Sequence, residues 1–331
     1  MFEIRLIKND ASKAYNITPL ISSVSWDSNL SLRSVIEFSI IWNDTVHFPA
    51  NPIELGDLVV ILKEGVEVNR GIVVNENLSG RGNISYTAYD YAWYLGKSKS
   101  VYQFNLSAKQ AVERVLNDFG MPIGNILTMS TKINKVYIQQ SPAEIIKDII
   151  KQFERETGNK VLTELREGKI YIENMMDMIV IGTFKISENV QQYNILSNPL
   201  GAERTRNIED MRNRIKIILT EQDNFETIAL EQDTVNASRY GLLEETFKID
   251  AEDSAKARQV AKILLKRLNK IHETNSITLM GDVKFKAGRL FDVVEPLTGM
   301  QGRYMITECK HEVNQGQHIM NLTLTLPEDV I

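Results

Sequence analysis

Apolar and polar residues alternate in short runs near the N-terminus, and glycines separate the runs. Gly56 precedes an apolar run over residues 58–62, and Gly71 precedes a second run. A turn at residues 80–82 then leads into a third run at 84–89. Period-two alternation between turn residues is typical of β-strands, so this stretch predicts two strands and a returning hairpin strand.

The same order of features recurs near the C-terminus. Gly288 precedes an apolar run over residues 290–294, Gly302 precedes another, and a turn at 315–316 leads into residues 319–324. The four glycines of the two copies are predicted to be structural turns. A strand unit that occurs twice in a chain with few candidate catalytic residues indicates a structural protein rather than an enzyme. Three chains with two such units each would present six similar faces.

The segment between the copies changes to helical spacing. Ser107 with Gln110 predicts a capping box, and the apolar positions that follow predict a helix over residues 107–119. A second helix is predicted over residues 142–157, followed by a hairpin over 161–173. Residues 98–196 are therefore predicted to form a small α+β domain.

The remaining boundaries follow from composition. Residues 1–97 have the sequence pattern of β-strands throughout. Residues 197–213 are polar and have no regular apolar pattern, as expected of a linker, and the strand pattern resumes over 214–331. A long helix is predicted over residues 251–273. The predicted fold class is α+β and mainly β, with two tube-like antiparallel β-barrel domains flanking the small α+β domain.

Charge and cysteine content narrow the class of protein. The net charge of -5 argues against a protein that binds nucleic acid by neutralising phosphates. The single cysteine excludes an internal disulfide framework, which suits folding in a reducing cytoplasm. No basic segment followed by an apolar run opens the chain, and no stretch approaches the roughly 18 apolar residues of a membrane span. We therefore expect a soluble protein made inside a cell.

Catalytic and nucleotide-binding motifs are missing from the sequence. It contains no Gly-x-Ser-x-Gly nucleophile elbow and no His-Glu-x-x-His zinc motif. Residues 96–98 read Gly-Lys-Ser, but a phosphate loop also requires glycine at position 91, which is Tyr91. The adjacent Glu244 and Glu245 would face opposite sides of a strand and cannot form a glycosidase pair alone. The sequence predicts no enzyme and no cofactor.

Cys309, His311 and His318 form the best candidate for a metal site. If residues 314–317 make the hairpin turn, all three side chains lie on one face of the hairpin, among apolar residues. Two imidazoles and a thiol could bind Zn²⁺, although a fourth ligand is not evident. The alternative, which we favour, is that the three are core side chains with local hydrogen bonds, so that the chain binds no metal.

A basic stripe on the predicted helix 251–273 is the second candidate. Arg258, Lys262, Lys266 and Lys270 recur at four-residue spacing. Such a stripe is most often a solvated helix face. The functional alternative is a docking surface for an acidic neighbouring protein.

Several short motifs, in their order and spacing, resemble the baseplate hub proteins of contractile phage tails and phage-derived bacteriocins, the late-control-D/XkdQ-like family. The motifs are residues 56–57, 70–73 and 86–90 in the first copy, and 238–241, 251–273, 279–282, 286–290, 302–306 and His311 in and before the second copy. The resemblance implies a homotrimer whose six β domains form a pseudo-hexameric ring. The ring would continue the tail tube above, receive a central spike below, contact other baseplate proteins, and let the tape-measure protein and then DNA pass.

One departure from strict repetition is visible, because a long helix precedes Gly288 whereas no strong helix precedes Gly56. Two other functions stay open. The chain could be a tail-associated cell-wall-degrading or carbohydrate-binding protein, or an oligonucleotide-binding barrel, which the acidic charge disfavours. The sequence also leaves open whether the parent particle is a phage or a bacteriocin.

Overall fold

The computed structural model describes most of the chain. The described residues are 1–31, 33–43, 45–79, 82–181, 183–184, 193–194, 200–221, 224–249, 257–295 and 298–329. Strands hold 51% of the described residues and helices 21%, so this part of the chain is mainly β, as predicted.

Strands occur along the whole length of the chain. The first seven, in chain order, are β1 (Phe2–Ile7), β2 (Ala14–Asn16), β3 (Ile21–Asn29), β4 (Val35–Ile40), β5 (Leu58–Lys63), β6 (Val66–Leu78) and β7 (Ile84–Tyr89). The next seven are β8 (Ser100–Ser107), β9 (Ile123–Ile126), β10 (Lys132–Gln140), β11 (Val161–Arg166), β12 (Lys169–Asn174), β13 (Thr183–Phe184) and β14 (Tyr193–Asn194). The last eight are β15 (Gly201–Asn207), β16 (Arg214–Glu221), β17 (Asn224–Gln232), β18 (Glu244–Ile249), β19 (His272–Met280), β20 (Leu290–Glu295), β21 (Met300–Asn314) and β22 (Gln317–Thr325).

The described residues also contain five α-helices, besides three short 3₁₀ helices at Thr18–Leu20, Met175–Asp177 and Pro327–Asp329. The α-helices are α1 (Ala92–Lys97), α2 (Ala108–Asp118), α3 (Pro142–Thr157), α4 (Thr234–Tyr240) and α5 (Ala257–Leu268).

The chain divides into two compact units. One comprises Met1–Ala202 with Ser276–Pro327, and the other comprises Glu203–Asn275 with Glu328–Ile331. The domain boundaries predicted at residues 97, 196 and 213 stay a prediction. Within the expected linker over 197–213, residues 201–207 form strand β15, whose side chains alternate partly between more and less exposed positions. The polar composition gave no sign of this strand, because a strand with little burial lacks a continuous apolar face.

One large sheet contains twelve of the described strands. Its strand order is β15-β19-β22-β21-β3-β4-β7-β6-β5-β1-β2, and β20 pairs with β21 beside this path. In the described part of the chain the order does not close on itself. The predicted barrels therefore stay a prediction, whereas the antiparallel strand pairing is observed.

The predicted α+β segment is present as two helices and small sheets. Strand β8 pairs with β10, and β11-β12-β9 form a three-stranded sheet. Both capping boxes are formed, by Ser107 with Gln110 at α2 and by Ser141 with Glu144 at α3. The hairpin turn at Glu167–Gly168 has positive φ at both residues, the conformation of a two-residue type I′ turn. Apolar side chains of both helices pack into one buried core with those of the adjacent strands.

The second unit packs helix α5 with the sheet β17-β16-β18. Ala257 and Ala261 of α5 are buried against Ile215 and Ile217 of β16. The helix ends at Leu268, so the prediction of a helix to residue 273 is wrong, and the predicted start at 251–256 lies outside the described residues. Asn269 follows the last helical residue, and its side chain bonds to Asp233 and Asn236. Strand β19 then begins at His272.

Candidate assembly site

The repeated unit found in the sequence is also a repeat of strand order. In the first copy the neighbouring strands are β3-β4-β7-β6-β5, and in the second they are β15-β19-β22-β21-β20. The two copies belong to one sheet and are joined where β3 pairs with β21. We call this pairing the intrachain junction.

The glycine turn that opens each copy makes the same two backbone hydrogen bonds. Gly56 N donates to Val73 O at 2.8 Å, and Val73 N donates to Asp57 O at 2.9 Å. In the second copy Gly288 N donates to Ile306 O at 2.8 Å, and Ile306 N donates to Arg289 O at 2.9 Å. Gly56 is therefore equivalent to Gly288, and Val73 to Ile306.

A β-bulge follows this bond at the same place in both copies. The register of β6 against β7 shifts between Val73 and Asn75, and that of β21 against β22 shifts between Ile306 and Glu308. A bulge inserts one unpaired residue and bends its strand. The two copies therefore share the same backbone pairing around the glycine turn and the bulge.

The positive φ at the first position of each copy explains why glycine occurs there. Gly56 has φ +93° and Gly288 has φ +79°, conformations that residues with a Cβ rarely adopt. At Gly288 a Cβ would also lie 2.4 Å from Leu162 Cδ1. The turn of the second copy is thus packed against strand β11. An ion pair also links the two, because Arg289 Nη2 lies 2.8 and 2.9 Å from the two carboxylate oxygens of Glu164.

The second glycines were predicted to be turns, and this is wrong. Gly71 lies inside β6 opposite Val59, and Gly302 lies inside β21 opposite Val293. The backbone equivalence aligns Gly71 with Tyr304 rather than with Gly302. Gly71 allows two strands to approach each other closely, since a Cβ there would lie 3.1 Å from Tyr89 O.

The predicted face of Cys309, His311 and His318 is present, because Asn314 pairs with Gln317 across the hairpin turn. His311 Nδ1 lies 3.0 Å from His318 Nε2, and His311 Nε2 lies 3.1 Å from Cys309 Sγ. The Trp26 indole of β3 stacks on the His311 ring, with centroids 4.9 Å apart and planes 13° apart. These side chains fill the intrachain junction.

The hydrogen bonds of His311 use both of its ring nitrogens. Nε2 lies 2.8 Å from the Phe285 carbonyl oxygen, which can only accept, so Nε2 carries the proton. Nδ1 then accepts from His318 Nε2. Neither nitrogen of His311 is left to ligate a metal. No group of three or more His, Cys, Asp or Glu side chains in the described residues is arranged to hold a metal ion.

Burial keeps this cluster uncharged. It lowers the pKa of His311 to about 4, and together with the neighbouring His311 it lowers the pKa of His318 to about 3. Burial also raises the pKa of the Cys309 thiol. The neutral imidazoles of His311 and His318 pack under the Trp26 indole, and the hydrogen bonds of His311 are satisfied.

The predicted basic stripe is divided between two elements. Arg258, Lys262 and Lys266 are exposed on α5, whereas Lys270 lies beyond the end of the helix. Arg258 donates to Glu231 at 2.9 Å, and Lys270 forms an ion pair with Asp329. Part of the stripe is thus neutralised by this chain itself. Docking through it stays a prediction.

Two contacts at this site were missed by the sequence reasoning. The pairing of Trp26 with His311 joins the ends of the chain, and the Arg289–Glu164 ion pair joins residues 125 positions apart. Local periodicity carries no signal for either. The apolar pattern of residues 21–29 predicts a strand there but not its partner.

Within the described residues, no helix combines the length and apolar character needed to cross a membrane.

Known proteins share both the sequence family and the fold. A family model described as YqbQ-like matches residues 24–325. Protein YqbQ of Bacillus subtilis (strain 168) is 26% identical over 277 residues, which cover 81% of this chain and 80% of YqbQ.

Two solved structures of tail proteins have a similar fold. The 43 kDa tail protein of prophage MuSo2 from Shewanella oneidensis is 14% identical with a TM-score of 0.72, and the match covers 99% of this chain and 100% of that one. A tail protein from Neisseria meningitidis MC58 is 12% identical with a TM-score of 0.65, and the match covers 98% and 96%. At these identities the likeness establishes a fold found in phage tail proteins.

Proposed function

Because the chain belongs to the YqbQ-like family and has the fold of prophage tail proteins, we propose that it is a structural hub of a tail baseplate. Three copies form a pseudo-hexameric ring that joins the tail tube to a central spike. The chain is made in the bacterial host cytoplasm and ends in the particle. Its partners are further copies of itself, the tube and spike proteins, the tape-measure protein and other baseplate proteins.

The repeated five-strand unit is the observation that carries this proposal. Two copies with the same glycine turn and the same bulge lie side by side in one sheet. A subunit with two equivalent units lets three chains match a sixfold tube. The net charge of -5 suits a conduit, since an acidic wall does not retain DNA as a basic wall would.

Mass and shape in solution test the proposal. Sedimentation of the purified chain, alone and mixed with the tube and spike proteins of its own tail, should give a species of three chains. Electron microscopy of that species should show a ring with six similar lobes. A chain that stays monomeric in every mixture contradicts the proposal. Release of fragments from peptidoglycan by the purified chain would instead support the cell-wall-degrading alternative.

A further inference from the structure

A small cavity lies between strand β6 and the turn of the β11–β12 hairpin, inside the unit formed by Met1–Ala202 and Ser276–Pro327. The charged and polar residues that line it are Glu67, Asn69, Arg70, Arg166, Glu167 and Lys286. Its volume is about 150 Å³. Pockets for drug-sized ligands are larger, roughly 300–1,000 Å³, so this cavity suits a small ion or a few water molecules.

Lys286 brings to this cavity an ammonium group with little hydrogen bonding. Its Nζ has three N–H donors, yet its one hydrogen-bond acceptor within the described residues is the Val68 carbonyl oxygen, 3.5 Å away. No carboxylate in that part of the chain forms an ion pair with it. The side chain is partly buried, and this burial lowers the pKa of Lys286. A partly buried cation without a counterion is unfavourable, and an anion from solution would relieve this.

The charges around Lys286 leave one positive charge uncompensated. Glu164 pairs with two arginines, because its carboxylate lies 2.8 Å from both Arg166 Nε and Arg289 Nη2. Arg166 also pairs with Glu173. After burial, Glu164 has the next largest effect on the pKa of Lys286 and raises it, whereas both arginines lower it. With Lys286 included, three cations share two carboxylates, so the local excess is one positive charge.

Arg70 lines the same cavity and has a terminal nitrogen that is available for a ligand. Its Nε lies 2.6 Å from Glu67 Oε1, and its Nη2 pairs with Glu67 Oε2. Nη1 faces the hairpin turn, since a Cβ added at Gly168 would lie 3.1 Å from it. Within the described residues Nη1 forms no hydrogen bond. Glu167 in the same turn is exposed, so water and salt screen its negative charge.

We propose that this cavity binds a small inorganic oxyanion, phosphate or sulfate, through Lys286 Nζ, with Arg70 as the second cationic donor. The anion neutralises the uncompensated charge, and its oxygens accept charge-assisted hydrogen bonds from the ammonium and the guanidinium groups. Lys286 precedes β20 and Arg70 belongs to β6, so the ion joins segments that are distant in sequence. It is a structural ion, which goes beyond the proposed function and does not depend on it.

Urea unfolding of the full chain, followed by tryptophan fluorescence, tests the site. Sodium phosphate is titrated at constant pH, and sodium chloride of equal ionic strength serves as the reference. A ligand that binds only the folded state stabilises it by RT ln(1 + [L]/Kd). We therefore expect phosphate to raise the urea midpoint of the parent chain, and chloride to leave it nearly unchanged.

Two lysine variants separate the site from general effects of phosphate. Lys286→Met removes the ammonium and should still fold, because an apolar side chain of similar volume is tolerated in place of a buried charge. Its apparent affinity for phosphate should fall about tenfold or more, the loss expected for a hydrogen bond to a charged group. Lys284→Met is the matched control, since Lys284 is exposed and does not line this cavity. It retains the general stabilisation that phosphate gives by exclusion from protein surfaces.

Phosphorus NMR of the added phosphate reads binding directly. The phosphate line should broaden with the parent chain and with Lys284→Met, and much less with Lys286→Met or with Arg70→Lys, which keeps the charge but lacks Nη1. Equal stabilisation and equal broadening in the parent chain and Lys286→Met would overturn the inference. Chloride that raises the urea midpoint as much as phosphate would also overturn it, because ionic screening would then explain the effect. If Lys286→Met fails to unfold cooperatively, unchanged phosphate binding by Arg70→Lys has the same consequence.

Discussion

Acid should destabilise the intrachain junction through its buried imidazoles. His311 is 1% exposed, and burial lowers its pKa to about 4 in the folded chain. In the unfolded chain its pKa returns to about 6.5. Below pH 6.5 the unfolded state therefore binds a proton that the folded state excludes. The stability that depends on neutral His311 is complete above pH 6.5 and is lost as the pH falls towards 4.

The size of this effect follows from the two pKa values. Between pH 8 and pH 5, a shift from about 6.5 to about 4 removes about 2 kcal/mol from the free energy of unfolding. His318 adds a loss of the same sign, because its pKa is lowered to about 3. Asp90 acts in the opposite direction, since burial raises its pKa to about 7 and its protonation at low pH favours the folded state. Comparing a His311 variant with the parent chain separates the contribution of this imidazole to the pH dependence from that of such carboxylates.

Urea unfolding at pH 8 and pH 5, followed by tryptophan fluorescence, measures the difference. In His311→Phe, which keeps an aromatic ring under Trp26, the loss of stability between the two pH values should shrink by about 2 kcal/mol relative to the parent chain. The exposed His47 supplies the matched control, and His47→Gln should leave the loss unchanged. An equal pH dependence in the parent chain and His311→Phe would refute the argument that burial holds this imidazole neutral.

Two further predictions concern the backbone. Gly288→Ala should lower the free energy of unfolding by about 1–3 kcal/mol more than Gly316→Ala, because both glycines have φ near +80° but only Gly288 meets Leu162, and equal urea midpoints would contradict this. Ser141→Ala and Ser107→Ala should each cost about 1 kcal/mol in the same assay, since each removes the side chain that caps a helix, and an unchanged stability in both would show that the capping boxes contribute nothing.

Local structure was largely predictable from sequence, because the signals are local. The spacing of apolar residues and the Ser-x-x-Gln and Ser-x-x-Glu patterns predicted α2 and α3, whose capping boxes are observed. The turns at residues 167–168 and 315–316 are predicted by an X-Gly pair, because glycine accepts the positive φ of the second position. The common face of Cys309, His311 and His318 followed from the position of the second turn alone.

Long-range pairing was not predictable, and the candidate site depends on it. The pairing of β3 with β21 joins strands near opposite ends of the chain, and nothing in either strand specifies the other. The second glycines also misled the alignment of the copies. Gly71 and Gly302 occur at similar spacing, yet one relieves a contact with Tyr89 and the other adopts φ +119° within a strand. The hydrogen bonds of Gly56 and Gly288, together with the shared bulge, reveal the true correspondence.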